Sequence, residues 1–326
     1  MKRLFFSTLL TLVPISWALA DSVEIRQKYK IGSRYLQQVT VTQESSVSTG
    51  QTNSSTKTNV AFDLESTASA HNEDSKRGVS VAVRYTKIAM SVDHNGLQFR
   101  ADSTGEVDTK TVGPLHMIPG IVGRGYTALI DENGTVQSVN EAVPFVNLLS
   151  ANLGPQTIRT YRDLFSPEAI KQLIDRTTLR SPKGVGLKPG ESWPLSQEIP
   201  MPGLGKLLVS GTYKFVKMTD FEGSQCAEIA VSATIGIVPP GPAQLDLSDG
   251  DGFNTLSRQM RLKINDSTMT GTIFFDPAIS FPRGLNISQA LTIDAKVPDG
   301  TNDAIKMPMK QSISVKLVEM ADVVPQ

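Results

Sequence analysis

The chain has 326 residues, and its 32 lysine and arginine residues are balanced by 32 aspartate and glutamate residues. No basic stripe stands out, so the composition argues against nucleic acid as a partner. The single cysteine, Cys226, excludes an intrachain disulfide, and a chain of this length can bury a core large enough to fold without one.

The first twenty residues have the three-part pattern of a secretory signal peptide. Lys2 and Arg3 precede an apolar stretch, and Ala18-Leu19-Ala20 is a small-x-small cleavage site. The apolar stretch is short for a membrane span, which takes about 20 residues. We therefore expect cleavage near Ala20 and a soluble mature protein in the periplasm or outside the cell, with a formal net charge of −2 and no membrane span.

Residues 21–140 are predicted to form a first β-meander half. Apolar and polar residues alternate in "YLQQVTVTQESSV", "TKTNVAFDLE" and "VSVAVRY", which is the pattern of half-buried strands. Turn-forming residues separate these runs, and Asn95-Gly96 and Asn133-Gly134 are typical of two-residue hairpin turns. The pattern therefore indicates consecutive strands joined by hairpins.

Residues 141–190 are predicted to form a helical insertion and a linker. In "FSPEAIKQLIDRT", Ser166 is a typical N-cap and Pro167 suits the first helical position. Ile170 and Ile174 then lie on one helical face. The irregular stretch "SPKGVGLKPG" follows and is interpreted as the linker.

Residues 191–326 are predicted to form a second β-meander half, because alternation returns in "KLLVSGTYKFV", "AEIAVSATIGIV" and "LSRQMRLKI". Roughly a dozen strands joined by hairpins favour an antiparallel sheet over β-α-β units. The predicted fold class is mainly β, with long antiparallel hairpins and a short helical insertion in the middle. The hairpins form either one curved sheet or two related half-sheets, and the alternative to two separate halves is one continuous domain.

Each predicted half opens with a glycine that is followed three residues later by a large aromatic residue. Gly32 and Tyr35 hold these positions in "KIGSRY", and Gly190 and Trp193 hold them in "KPGESW". A second similarity links "GYTALIDENGTVQS" with "GTIFFDPAISFPRGLNIS". Two copies of one meander would account for both similarities.

The order of "YKIGSRY", "SPEAIKQLI", "LKPGESWPLSQEIPMPGLGK", "GTYKF" and "GTIFFD" resembles an uncharacterised domain-of-unknown-function family of exported bacterial proteins. The resemblance covers most of the mature chain. It implies a mostly β, exported protein. It brings no known activity, so no catalytic residue is carried over from it.

The stretch "PMPGLGKLL", residues 200–208, contains a Gly-Leu-Gly-Lys run that could suggest a phosphate loop. A phosphate loop requires Ser or Thr after the lysine and then a helix. Here Leu207 follows Lys206, and the next residues alternate as a strand. We interpret the stretch as a corner between strands in which Pro200 and Pro202 prevent regular pairing and Gly203 and Gly205 permit the bend. No catalytic residue and no cofactor is predicted anywhere in the chain.

The loop "DLSDGDG" is a candidate metal site, because Asp246, Asp249 and Asp251 supply oxygen ligands of the kind that Ca²⁺ prefers. The spacing does not match an EF-hand. A plain Asp/Gly turn without metal is the alternative interpretation.

A candidate ligand face lies in the last predicted hairpin, where Ile287, Leu291, Ile305, Met307 and Met309 alternate with polar residues. Methionine side chains adapt to ligands of varied shape. These residues could line a groove for an apolar ligand. The alternative is that helices and sheet close over one core.

The leading functional hypothesis is an exported, non-enzymatic binding or structural module of the bacterial cell envelope. Its partner would be an apolar ligand or another envelope protein. Two alternatives stay open: a periplasmic carrier of a lipid or apolar segment, and a hydrolase that uses scattered carboxylates. The sequence does not specify an oligomeric state.

Overall fold

A computed structural model describes residues 22–49, 52–73, 76–104, 118–131, 134–140, 167, 170–171, 174, 178–179, 181–182, 186–201, 205–238, 261–296 and 305–323. Twelve strands and one short helix, α1 (Ile118–Ile121), are formed by these residues. The strands are β1 (Ser33–Thr49), β2 (Thr52–Glu73), β3 (Lys76–His94), β4 (Leu97–Asp102), β5 (Gly125–Asp131), β6 (Val136–Asn140), β7 (Ser192–Met201), β8 (Gly205–Phe221), β9 (Ser224–Val238), β10 (Arg261–Asp276), β11 (Phe281–Lys296) and β12 (Ile305–Asp322).

All twelve strands belong to one antiparallel sheet. Its strand order is β6-β5-β3-β2-β1-β12-β11-β10-β9-β8-β7. Residues 78–84 of β3 pair with β5, and residues 89–94 of β3 pair with β4. The pairing of β1 with β12 joins strands from both predicted halves. The mainly β prediction is therefore confirmed, and of the two predicted arrangements the single sheet is correct. The division of the chain into halves stays a prediction.

The predicted helical insertion lies mostly outside the described residues. Pro167, Ile170, Lys171 and Ile174 are described, and their backbone is helical. Ile170 is buried and packs with β3, β5 and β6 side chains. These four positions do not define a complete helix, so the insertion as a whole stays a prediction.

The two faces of the sheet differ in polarity because side chains alternate along each strand. In the middle of the sheet, Ile287 lies opposite Ile313, and Ile313 lies opposite Val41. Val60 and Met90 continue the same row on β2 and β3. We call the side that carries this row the apolar face. The opposite, polar face carries Thr40, Thr42, Thr270, Thr272, Asn286, Ser288, Ser312 and Ser314 at the intervening positions.

Four register shifts fall close to one line across the sheet. They leave one extra residue unpaired in each of four strands: Thr86 in β3, Val318 in β12, Arg283 in β11 and Val216 in β8. A β-bulge adds one residue to one strand, bends that strand and increases its twist. The shifts thus mark a level at which several strands bend together. We call the part beyond this level, which includes Ser33–Leu36, the base of the sheet.

The base is closed by a cluster of aromatic rings. Tyr35 and Phe281 are fully buried, and their rings stack with centroids 4.6 Å apart. Tyr29 packs edge-on against both rings, at 5.4 and 5.3 Å. The Tyr35 hydroxyl accepts a hydrogen bond of 2.7 Å from the backbone N–H of Lys30. These contacts tie the segment before β1 to the sheet.

The segment before β1 also pairs with the segment before β7. The backbones of Val23 and Leu187 exchange two hydrogen bonds of 2.9 Å, and the Ser181 N–H donates to the Ile25 carbonyl at 2.7 Å. This pairing places Ile25, Leu179 and Leu187 in the core together with strand side chains such as Phe215, Ile229 and Phe275. The two segments therefore pack against one end of the sheet.

The glycine that opens each predicted half allows the turn that leads into a strand. Gly32 and Gly190 have φ values of +78° and +95°, a backbone region that favours glycine. The Gly32 N–H donates to the Ala68 carbonyl at 2.8 Å, and the Gly190 N–H donates to the Phe215 carbonyl at 2.7 Å. Both turns thereby direct the following aromatic residue, Tyr35 or Trp193, into the core.

The protein should become less stable at alkaline pH, because Tyr29 packs against the aromatic cluster at the base of the sheet. Desolvation raises the pKa of Tyr29 to about 12, whereas an unfolded tyrosine titrates near 10. The unfolded chain then loses its proton at lower pH than the folded chain, so this stabilisation is complete below about pH 10 and is lost as the pH rises towards 12. Urea midpoints followed by circular dichroism should fall across that interval, and constant midpoints would contradict the assignment.

Candidate apolar binding face

The middle of the apolar face is only half-buried in the folded chain. Val41, Val60, Met90, Ile287 and Ile313 keep part of their surface exposed, although they occupy neighbouring positions on five consecutive strands of the sheet. We call these five residues the central apolar patch. In contrast, Tyr35 and Phe281 at the base and Phe215, Ile229 and Phe275 in β8–β10 are fully buried. The patch is therefore an apolar surface that the described fold leaves partly open.

The five residues of the predicted ligand face lie on the same side of the β11–β12 hairpin. Leu291 is opposite Met309, and Ile287 is two positions along the strand from the Gln289–Gln311 pair. Met307 and Ile305 precede Met309 on the same face of β12, and they lie opposite Ile293 and Ala295. Leu291 is buried in the core cluster and Met309 packs against that cluster.

Ile305 and Met307 are half-buried, as is Ile287. The structure thus brings the predicted residues together and extends their surface onto β1, β2 and β3. Their binding of a ligand stays a prediction.

A row of polar side chains crosses the apolar face next to the central apolar patch. Gln289 lies opposite Gln311, Gln311 opposite Gln43, and Gln43 opposite Thr58. The Gln289 Nε2 donates a hydrogen bond to the Gln311 Oε1, and all four side chains are half-buried. Sequence reasoning missed this row. The available signal was glutamine at strand positions in phase with valine and isoleucine.

Carboxylates in the described residues are distributed in ion pairs across the sheet. These pairs include Glu44–Lys57 at 2.8 Å, Glu198–Lys206 at 2.9 Å, Glu222–Lys316 at 2.6 Å, Glu319–Arg34 at 2.7 Å and Asp276–Arg283 at 2.6 Å. The hydrogen bond from Lys57 lowers the pKa of Glu44 below its usual range. A hydrolase would need carboxylates to converge in one cleft. These ion pairs do not provide that arrangement.

The predicted metal-site residues Asp246, Asp249 and Asp251 lie outside the described residues, so calcium binding stays a prediction. Within the part of the chain that the structure describes, no group of three or more His, Cys, Asp and Glu side chains could hold a metal ion.

Cys226 is fully buried near the start of β9. Burial raises the pKa of its thiol to about 11, and the nearby Asp276 carboxylate acts in the same direction. The thiol is therefore protonated at neutral pH and is poorly suited to act as a nucleophile.

The described residues of "PMPGLGKLL" belong to the end of β7 and the start of β8, and residues 202–204 lie outside the described residues. Pro200 pairs with Lys206 and Met201 pairs with Gly205, and a strand rather than a helix follows. The phosphate-loop interpretation is thereby excluded. The prediction that Pro200 prevents pairing was wrong, because β7 is an edge strand and an edge strand tolerates a residue without an N–H.

No helix in the described ranges has the length and apolar character needed to cross a membrane.

Several solved structures match parts of the chain at low sequence identity and with TM-scores below 0.5. A structure of lipovitellin concerned with lipid–protein interactions is 11% identical, with a TM-score of 0.46, over 92% of this chain and 26% of the lipovitellin chain. The chain thus spans about a quarter of lipovitellin. A putative outer membrane lipoprotein-sorting protein domain from Vibrio parahaemolyticus is 9% identical, with a TM-score of 0.15, over 87% of this chain and 84% of that one. These scores are too low to support a conclusion about function.

A search of curated proteins finds no match. A family profile matches residues 76–282, which is more than half of the chain and includes strands from both predicted halves. This match confirms the resemblance to a domain of unknown function. The chain belongs to the family of unknown function DUF6263.

Proposed function

We propose that this chain is an exported binding module that holds the acyl chain of a lipid against the central apolar patch. The observation that carries the proposal is the partial exposure of five apolar side chains on five neighbouring strands, at the centre of a sheet whose other face is polar. A contiguous exposed apolar surface typically marks a ligand or partner site. The signal-peptide pattern of residues 1–20 supports export.

The dimensions of the patch suit an extended hydrocarbon chain. Neighbouring strands are about 4.8 Å apart, so the row from Ile287 through Ile313, Val41 and Val60 to Met90 is roughly 19 Å long. Each methylene group that a ligand buries there would contribute up to about 0.8 kcal/mol. Met90, Met307 and Met309 add flexible side chains that can adapt to the shape of a ligand.

The backbone of the patch favours a lipid over an extended peptide. β1, β2, β11 and β12 are paired on both sides, so their backbone N–H and C=O groups are engaged within the sheet. An extended peptide lying on this surface would lose hydration of its own backbone and gain few hydrogen bonds in return. A hydrocarbon chain has no such groups.

The test is titration of the full mature chain with dansyl-labelled undecanoic acid, followed by displacement with unlabelled long-chain lipids. A saturable, blue-shifted increase in dansyl emission is expected, together with co-purifying lipid in native mass spectra of protein extracted gently from envelopes. Absence of saturable binding together with a bare protein mass would overturn the proposal. Binding of an amphipathic peptide without binding of the dansyl probe would overturn the lipid assignment in favour of an envelope-protein segment.

A further inference from the structure

The polar row on the apolar face consists of three amides and one hydroxyl in adjacent strands. Gln289, Gln311, Gln43 and Thr58 come from β11, β12, β1 and β2 and are directly opposite one another. The next residues on the same face of β11 and β12 are apolar on both sides of the row. They are Ile287 and Leu291 on β11, and Ile313 and Met309 on β12.

The row contains amide N–H groups that donate no hydrogen bond to the described part of the protein. Gln289 donates to the Gln311 Oε1, so this pair is held together and the Gln311 Nε2 is left with two N–H groups. Within the described residues, neither the Gln311 Nε2 nor the Gln43 side chain has a protein hydrogen-bond partner. A ligand that covered these half-buried amides with hydrocarbon alone would remove their hydration at a cost. A ligand with an acceptor at this level would avoid that cost.

We propose that the row recognises the neutral carbonyl of an ester or amide linkage in the bound lipid. This inference rests on the proposed function and specifies its ligand class. The row contains no charged side chain, so it matches a neutral carbonyl better than a free carboxylate. Apolar side chains on both sides of the row would contact the hydrocarbon, while the Gln311 and Gln43 amides donate to the carbonyl oxygen.

The test compares two neutral lipids of equal chain length, monopalmitoyl glycerol and hexadecyl glycerol ether, as competitors of dansyl-labelled undecanoic acid. The ether lacks only the carbonyl oxygen. One or two hydrogen bonds of ordinary net strength should make the ester bind about threefold to tenfold tighter to the wild-type chain. The double variant Gln43→Met with Gln311→Met should lose this preference and still bind the ether.

Gln38→Met is the matched control, because Gln38 is an exposed residue of β1 on the opposite face. It should leave the ester preference unchanged. Equal binding of ester and ether by the wild-type chain would overturn the inference and leave the proposed function intact. This comparison is made on the wild-type chain alone. Failure of both lipids to bind would overturn the proposed function itself. An ester preference that persists in the double variant would show that other residues recognise the carbonyl.

Discussion

Replacement of Tyr35 by alanine is expected to destabilise the protein by about 3–5 kcal/mol, the range for removing a large aromatic side chain from a core. The Tyr35 ring is fully buried, stacks on Phe281 and contacts the edge of Tyr29. Its removal would leave a cavity where the segment before β1 meets the sheet. Urea unfolding followed by far-ultraviolet circular dichroism would measure the loss as a lower midpoint at an unchanged slope.

The matched control is Tyr35→Phe, which keeps the ring and removes only the hydroxyl. That hydroxyl accepts the Lys30 N–H at 2.7 Å, so the control should cost about 1 kcal/mol. Equal losses for the alanine and phenylalanine variants would show that the hydrogen bond, rather than ring packing, stabilises the base. A loss below about 1 kcal/mol for the alanine variant would contradict the role of Tyr35 in the core.

The strands could be predicted because their apolar residues recur with a period of two. This periodicity identifies which side chains share a face of one strand, and it correctly grouped Ile287 with Leu291 and Met307 with Met309. The Gly32 and Gly190 turns were visible as well, since glycine and a following aromatic residue form a local pattern. Local information was sufficient wherever the structure depended on one strand or one turn.

The partners of the strands could not be predicted, because alternation is the same whichever strand lies alongside. The β1–β12 pairing joins residues between 258 (Ser48 to Lys306) and 289 (Ser33 to Asp322) positions apart in the chain. Val41, Val60 and Met90 join the candidate face only through that pairing and the β1–β2–β3 meander. The glutamine row was missed for the same reason. Gln43 and Gln311 indicate a polar row only when they are known to lie opposite each other, and the sequence does not show that β1 and β12 pair.

The register shifts were also invisible in the sequence. One extra residue in a strand reverses which face the following residues occupy, so the alternation on either side of a bulge cannot be read as one continuous pattern. Val216 and Val318 sit at such positions. Each is the extra residue of a bulge and is followed by a second exposed residue, Lys217 or Glu319, where unbroken alternation would place a buried one.

Ile313→Asp is expected to weaken binding of dansyl-labelled undecanoic acid and of monopalmitoyl glycerol at least tenfold. Ile313 lies at the centre of the patch, between Ile287 and Val41, where a carboxylate would have to lose hydration against the ligand's hydrocarbon chain. The Ile313 side chain is half-buried rather than enclosed, so the variant should still fold. Fluorescence titration would give the affinities, and urea midpoints would show whether each variant retains its fold.

The neighbouring Ser314→Asp provides a control with the same charge on the same strand. Ser314 is exposed on the polar face, opposite Thr40 and Asn286, so this variant should bind both probes like the wild-type chain. Weakened binding by Ile313→Asp alone would locate the ligand on the apolar face. A folded Ile313→Asp chain that binds within twofold of wild type would exclude the central apolar patch as the site. Equal losses in both variants would exclude a face-specific site, because the two residues point to opposite sides of the sheet.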